Sequence, residues 1–357
     1  MKMYKIKQEI PNTGSCSDVY VGLDIHQKSW HVSIVCDGVL VMSTSMPAQW
    51  DALRRLLDRY TGHRIHAVYE AGYFGYGLYD RLIEYGAECI VTPPNMIPQE
   101  SGNRVKTDRI DSKKLAVLFS RGLLKSIVVP SPEERSHQTV LRRRHQLVGD
   151  RVRVQLRIKA ELRYYDIPFP PIQGRWSKTF VENLHHLHFQ NRWLSESFKR
   201  LLDEYDHLSM QIEQQTRLVQ ALATTDRYRN DVALLRTIPG IGILTAMEIL
   251  VELQNIHRFR NGGALTAYVG LTPSQYSSGE HVRMGRITRS GKGYLRTLLV
   301  EASWVLVNKD PVMKEKYQTL KYRAGAKKAI VAIARRLLIR ARRVLLDQSA
   351  YVCGKAA

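Results

Sequence analysis

The sequence predicts an α/β domain built on a mixed sheet, followed by long helices and then a mainly helical C-terminal part. Three observations carry this prediction. Apolar strand-like segments alternate with helical stripes only in the first 130 residues. The middle holds two long stretches of helical periodicity with few helix breakers. From Asn230 onward, apolar helices flank a polar segment punctuated by glycine.

The elements follow in order. Residues 1–17 read as a polar lead-in. "VYVGLDI" (Val19–Ile25) has the composition of a buried strand, and "HVSIVC" and "VLVMSTS" flank Asp37-Gly38, a strong two-residue hairpin signal. "MPAQWDALRRLLDRY" places Trp50, Leu53, Leu56 and Leu57 on one helical stripe. "RIHAVYE" (Arg64–Glu70) is a fourth strand, "YGLYDRLIEYG" a second helix, and "ECIVT" a fifth strand stopped by Pro93-Pro94. Thr107 is placed to cap a helix from Asp108 to about Leu123, and "SIVVP" closes this set at residue 130. Three strands with a hairpin, then helix, strand, helix, strand, helix is the order of the ribonuclease-H-like fold, a mixed sheet with helices on both faces.

Ser131 is a helix cap with proline at the first helical position, opening a long basic helix that ends near Tyr165. The next helix carries Leu194, Phe198, Leu201, Tyr205, Leu208, Ile212, Gln215, Val219 and Leu222 at alternating steps of four and three. That is a coiled-coil seam, or one half of an antiparallel helical hairpin within the chain. Residues 131–228 therefore read as a spacer or dimerisation arm, 229–310 as a second compact domain, and 311–357 as a basic helical tail. "TIPGIG" (Thr237–Gly242) fits either a phosphate-contacting hairpin between helices or a tight turn between packed ones.

Composition narrows the function. The 357 residues hold 54 Lys and Arg against 33 Asp and Glu, a formal net charge of +21. An excess of that size favours a polyanionic partner, nucleic acid before membrane. The cations cluster: Arg142 to Arg163 holds eight, and Lys321 to Arg343 holds nine with no acid. No apolar run approaches the ~20 residues of a membrane span, and the N-terminal residues lack the apolar core of a signal peptide. Cys16, Cys36, Cys89 and Cys353 form no CxxC, so reduced thiols in a cytoplasmic protein are expected, with neither a zinc knuckle nor a disulfide framework.

Four acids fall where this fold can gather them. Asp24 lies in the first strand, and Glu70 ends the fourth, which can neighbour the first. Asp108 and Asp111, three apart, share one helix face. Clustered carboxylates raise one another's pKa, a conflict that a divalent cation removes, and all-oxygen ligation points to Mg²⁺ or Mn²⁺. Singly, each acid is better explained by a turn, an ion pair or a helix dipole, and only the set of four in fold order favours a metal site. Asp24 is the hardest to explain so, because an aspartate closing an apolar strand is costly unless paired or bound.

"YSSGEHVRMGRITRSGKGYLR" sets Ser277 and Ser278 among glycines and Arg283, Arg286, Arg289, Lys292 and Arg296. Glycines admit a ligand close to the backbone and arginines fork onto phosphate oxygens. A serine there can attack a DNA phosphate if a base or metal activates it, and a basic loop of turn residues is the plainer alternative.

These stretches resemble the DEDD transposases of insertion-sequence family 110, the RNA-guided bridge recombinases. The resemblance spans nearly the whole chain and rests on "VGLDIH", "YEAGYFGYGLYDRL", "KTDRIDSKKLA", "IPGIGILTA", "AYVGLTPSQYSSGEHVRMGRITRSGKGYLR" and "LLVEASW". It implies a RuvC-like catalytic domain holding Mg²⁺ on Asp24, Glu70, Asp108 and Asp111, a coiled coil, and a transposase domain with a catalytic serine. Ser278, directly before Gly279, best matches that serine, with Ser277 its near-equal alternative. It further implies strand exchange on double-stranded DNA through a 5′-phosphoserine link, and a noncoding RNA pairing with target and donor DNA. Assembly would be a homo-oligomeric dimer of dimers with composite active sites, in the nucleoid of a prokaryotic cytoplasm. Arg109, Lys113, Arg142, Arg143, Arg144, Arg151, Lys327, Lys328, Arg335 and Arg336 are further candidate nucleic-acid contacts. A metal-dependent nuclease or junction resolvase, needing the acids and no serine, and a non-catalytic nucleic-acid-binding protein are the competing readings.

Overall fold

The computed structural model describes residues 16–98, 107–169, 176–278, 281–288 and 291–354. The chain divides into two compact units, Met1–Val129 and Pro130–Ala357.

Unit one is the expected mixed sheet. Its strands are β1 (Asp18–Ile25), β2 (Ser29–Cys36), β3 (Val39–Pro47), β4 (Arg64–Glu70) and β5 (Glu88–Thr92), in the order β3-β2-β1-β4-β5. The first three run antiparallel, while β4 and β5 join β1 in parallel. The alternation of β1 explains the layering. Val19, Val21 and Leu23 are fully buried and pack with Leu53, Leu57 and Leu82 of α1 (Trp50–Leu57) and α2 (Gly77–Glu84). The other face, Tyr20, Gly22 and Asp24, lies under α3 (Asp108–Ser120). "SIVVP" is irregular, and its Ile127 N–H donates to the Val91 carbonyl at 2.8 Å.

α3 lies unusually close to β1, and Gly22 is the reason. A Cβ on Gly22 would stand 2.1 Å from the Ser112 carbonyl oxygen and 2.6 Å from the Ala116 nitrogen. Beside it the fully buried Ser33 and Ser112 hydroxyls share a 2.8 Å hydrogen bond, joining β2 to α3. Thr107 caps α3 as expected, its hydroxyl accepting from Ile110 N–H at 3.3 Å.

One cysteine expectation fails. Cys16 and Cys36 form a disulfide, with Cα atoms 6.2 Å apart. The antiparallel register sets Val19 opposite Cys36, which brings residue 16, just ahead of β1, to the end of β2. A separation of 20 residues gave no local signal of this. Cys89 is free and buried, and burial pushes its thiol up to about 12.

Unit two opens with α4 (Pro132–Tyr164), started by a complete capping box between Ser131 and Glu134. After α5 (Lys178–His185), α6 (Arg192–Ala223) returns antiparallel to α4. Gln215 donates to the Val140 carbonyl at 2.9 Å, Arg144 to the Thr216 hydroxyl at 2.8 Å, and Arg157 pairs with Glu204 at 3.4 Å. The heptad stripe thus serves an intrachain helical hairpin. One end of that hairpin joins the main core through Leu141, Val219 and Ala223, and the other forms a small core of its own around Ile158, Leu162 and Phe198.

The main core is built by α7 (Arg229–Leu235), α8 (Ile243–Leu253), α9 (Gly262–Val269), α10 (Gly293–Lys309), α11 (Pro311–Ala324) and α12 (Ala326–Asp347). The "TIPGIG" turn is packed rather than presented: Gly240 has φ +91°, and a Cβ there would meet the Ala302 carbonyl of α10 at 2.3 Å. The expected basic tail is also part of this core. Ile333, Leu337, Leu338 and Ala341 of α12 are fully buried, and the Arg340 guanidinium is buried on Asp310 at 3.4 Å. Its exposed cations, Lys327, Lys328, Arg336 and Arg343, are the polar stripe of an amphipathic helix. Between α9 and α10 the polar segment forms an antiparallel hairpin, β6 (Pro273–Ser278) and β7 (His281–Ile287).

Gly22→Ala forces α3 away from β1. It is expected to destabilise unit one by about 1–3 kcal/mol, read as an earlier urea transition, whereas Gly77→Ala, with open space around its Cα, stays near wild type.

Candidate active site

The carboxylates gather at the C-terminal end of β1. Asp24 faces α3 and retains 21% side-chain exposure, and Asp108 opens that helix with 60%. The His26 imidazole lies between them, Nε2 being 3.3 Å from Asp24 and 3.7 Å from Asp108. One ligand atom from each of the three falls within 4.8 Å of the others. Glu70 ends β4 one step beyond the Leu23–Tyr69 pair, and alternation with His66 and Val68 puts it on the same face of the sheet. Asp111 sits nearly one turn along α3, close enough to raise the Asp24 pKa. Neither Glu70 nor Asp111 belongs to the 4.8 Å group among the described residues.

Burial is the chief force on Asp24 and pushes its pKa up, against His26, which pulls it down, with Asp108 and Asp111 adding upward pressure. A partly buried carboxylate whose charge is disfavoured fits a cation site, because a bound cation supplies the missing compensation. The chain offers two clustered carboxylates and an imidazole, with two more acids at the same edge.

His26 and His31 did not figure in the sequence reading. His26 had a signal, since two residues from Asp24 is the same side of an extended chain. His31 had none before the register was known. It stands opposite Asp24 on β2, where burial lowers its pKa against the pull of Asp108. Its Nε2 lies 3.0 Å from the Ser43 hydroxyl, which lies 3.1 Å from the Ser33 hydroxyl and so links the site to Ser112 of α3.

The serine hairpin is the second candidate region. Ser277 pairs with Val282 and Ser278 with His281, so both serines stand at the tip end of β6. Arg289 lies outside the described residues. The candidate cations separate by what holds them. Lys292 Nζ is 2.5 Å from Glu252, Arg142 is 3.6 Å from the same carboxylate, Arg144 holds Thr216, and Arg296 donates to the Val269 carbonyl at 2.8 Å. Lys292, Arg144 and Arg296 brace the fold, while the Arg142 side chain stays 57% exposed. Arg109, Lys113, Arg143, Arg286, Lys327, Lys328 and Arg336 are exposed, whereas Arg151 and Arg335 are half-buried. Beneath Lys292, Glu248 is buried one turn from Glu252 on α8, and burial with the Glu252 charge pushes it up to about 7.

A mixed sheet in this order, with acids at the end of its first strand and at the start of the helix over it, defines a ribonuclease-H-like domain of DEDD type. Comparison with known proteins agrees. A DEDD model of the IS110 type, described as a transposase, matches residues 21–166, and a model described as the Transposase IS116/IS110/IS902 family matches residues 232–318. The transposase for insertion sequence element IS1533 of Leptospira borgpetersenii is 26% identical over 337 residues, covering 90% of this chain and 94% of that one. The transposase for insertion sequence element IS1111A of Coxiella burnetii is 28% identical over 271 residues, covering 74% and 73%. The chain belongs to the IS110 family of insertion-sequence transposases, and is thus a DNA-acting enzyme. Among the described residues no helix is long and apolar enough to cross a membrane.

Two pH responses follow. Because burial raises the folded-state pKa of Asp24, its charge opposes folding once the pH exceeds the unfolded value near 4. In metal-free buffer Asp24→Asn is expected to raise the melting temperature at pH 7, with the gain vanishing below about pH 4. Glu248 follows the same sign over a wider window. Stability falls as pH rises from about 4.5 through its folded value of about 7, and Glu248→Gln flattens that slope in thermal melts.

Proposed function

We propose that the protein cuts and rejoins double-stranded DNA, with a divalent cation held at Asp24 and Asp108 and Ser278 as nucleophile. The observation that carries this reading is the convergence of Asp24, His26 and Asp108 within 4.8 Å where β1 meets α3. Glu70 and Asp111, at the same edge, complete the ligand set. Bound Mg²⁺ or Mn²⁺ there supplies Lewis-acid polarisation of a phosphoryl oxygen.

The chain's own contribution is the serine ester. The Ser278 oxygen bonds to phosphorus, the bond to the 3′ oxygen breaks, and that oxygen departs as a hydroxyl, taking up the proton that the serine gives up. The 5′ end stays on the protein as a phosphoserine. Reversal by another 3′ hydroxyl rejoins DNA without an energy cofactor, since one ester replaces another. The likeness to the bridge recombinases supports this route, as does the serine's place near a hairpin tip. It also supports a noncoding RNA that pairs with target and donor DNA, and a dimer of dimers in which one protomer's carboxylates face another's serine. The exposed Arg109, Lys113, Arg143, Lys327, Lys328 and Arg336 suit backbone contacts to both nucleic acids.

The test incubates the full chain with Mg²⁺, the RNA flanking its own element, and target and donor DNA. A DNA-linked peptide at Ser278 is expected by mass spectrometry. Ser278→Ala should abolish that species and lower strand joining by on the order of 10³-fold or more, and Asp24→Ala should do the same. A link at Ser277 reassigns the nucleophile. Cleavage that survives Ser278→Ala and Ser277→Ala but not Asp24→Ala identifies a metal-dependent nuclease instead, and activity untouched by Asp24→Ala sinks the metal site.

A further inference from the structure

The turn that follows Glu70 carries two neighbouring aromatic rings that reach the surface. Tyr73 is 96% exposed and Phe74 40%, with ring centroids 5.7 Å apart in an edge-to-face arrangement. Large apolar surface in water has a cost, and other aromatics of this segment avoid it. Tyr69 is fully buried, and Tyr76 packs partly against the core.

The turn is also held firmly. Ala71 N–H donates to the Thr92 carbonyl at 2.8 Å, extending the β4–β5 ladder past Glu70. The Tyr69 hydroxyl donates to the Gly75 carbonyl at 3.0 Å from below, and Gly75 N–H closes the turn on the Gly72 carbonyl at 3.3 Å. Tyr73 lies three steps along the chain from Glu70, so their Cα atoms are at most about 11 Å apart. The ring therefore stands on an anchored turn beside the carboxylate edge, with its faces in solvent.

We propose that Tyr73 is a stacking platform for one unstacked nucleobase of the DNA strand held at the carboxylates, with Phe74 bracing its ring edge-on. This rests on the reading of that edge as the DNA-cutting site. A nucleobase is the occupant because a strand whose phosphodiester lies at this edge passes within reach of the ring, and exchange of one DNA strand for another unpairs the bases beside the exchanged phosphate. Every base offers a π-face, so the contact is sequence-tolerant and compatible with sequence choice made elsewhere. Phe74 fixes the ring and lowers the entropy lost when a base docks.

The test uses the full chain without divalent cation and compares binding of a twelve-nucleotide dT single strand with an abasic strand of equal length. Wild type should prefer the intact strand, and Tyr73→Ala should lower that preference by about 5- to 100-fold while affinity for the abasic strand and the melting temperature hold. Tyr73→Trp should retain the preference and Tyr73→Leu should lose it. An unchanged preference in Tyr73→Ala overturns the proposal, as does an equal loss on both strands. If Tyr73→Ala instead changes the oligomeric state in sedimentation with base preference intact, the ring is a protein contact and the proposal also fails. Asp24→Ala keeps the two readings apart: strand joining that survives it defeats the cutting site, while the base preference of Tyr73 is scored separately.

Discussion

The contact of α3 with β1 at Gly22 positions the candidate active site. With no Cβ at that residue, the Ser112 carbonyl and the Ala116 amide can lie against the strand. Helix backbone at that depth sets the N-terminus of α3 over the end of β1, so Asp108 meets Asp24. Any larger residue lifts the helix and separates them. The buried hydroxyl pair of Ser33 and Ser112 fixes the approach, since a helix shifted along its axis would strand two polar groups in the core. Through Ser43 the same chain of hydroxyls reaches His31 opposite Asp24, so packing and site share one set of contacts.

The positive charge of the second unit divides between architecture and surface. Glu252, buried on α8, holds Lys292 at the start of α10 and Arg142 of α4. Arg340 is buried on Asp310, and Arg144 and Arg296 are held by protein oxygens. Each joins elements far apart in sequence, and loss of the cation would leave the buried Glu252 or Asp310 carboxylate uncompensated in the core. The exposed Arg143, Lys327, Lys328 and Arg336 can grip a polyanion backbone without disturbing the fold. Net charge thus overstates the binding surface.

Much of the first unit was legible in the sequence. Hydrophobic alternation marked β1 through β5, Asp37-Gly38 marked the hairpin, and Thr107 and Ser131 marked two helix starts, because each is a local preference of backbone or side chain. The order of these elements restricted the sheet to a mixed one with β4 beside β1, which put Asp24 and Glu70 on neighbouring strands. Less was legible beyond residue 130. The α6 stripe reads the same whether it packs on another chain or folds back on α4, since periodicity names a buried face and not its occupant. The β6–β7 hairpin was hidden because its residues have weak apolar alternation and its glycines read as loop.

The sequence by itself determined the element order of the first unit, the Thr107 and Ser131 caps, the family and the acids available to a common edge, all set by short-range chemistry or by motif. Tertiary structure alone decided which acids meet. It brought His26 and Asp108 to Asp24 and left Glu70 and Asp111 outside the tight group. It joined Cys16 to Cys36, and it set Lys292 and Arg142 on the buried Glu252. The reason is common to all three: side chains many residues apart approach only when register and helix depth are fixed, and those depend on the packing of the whole unit.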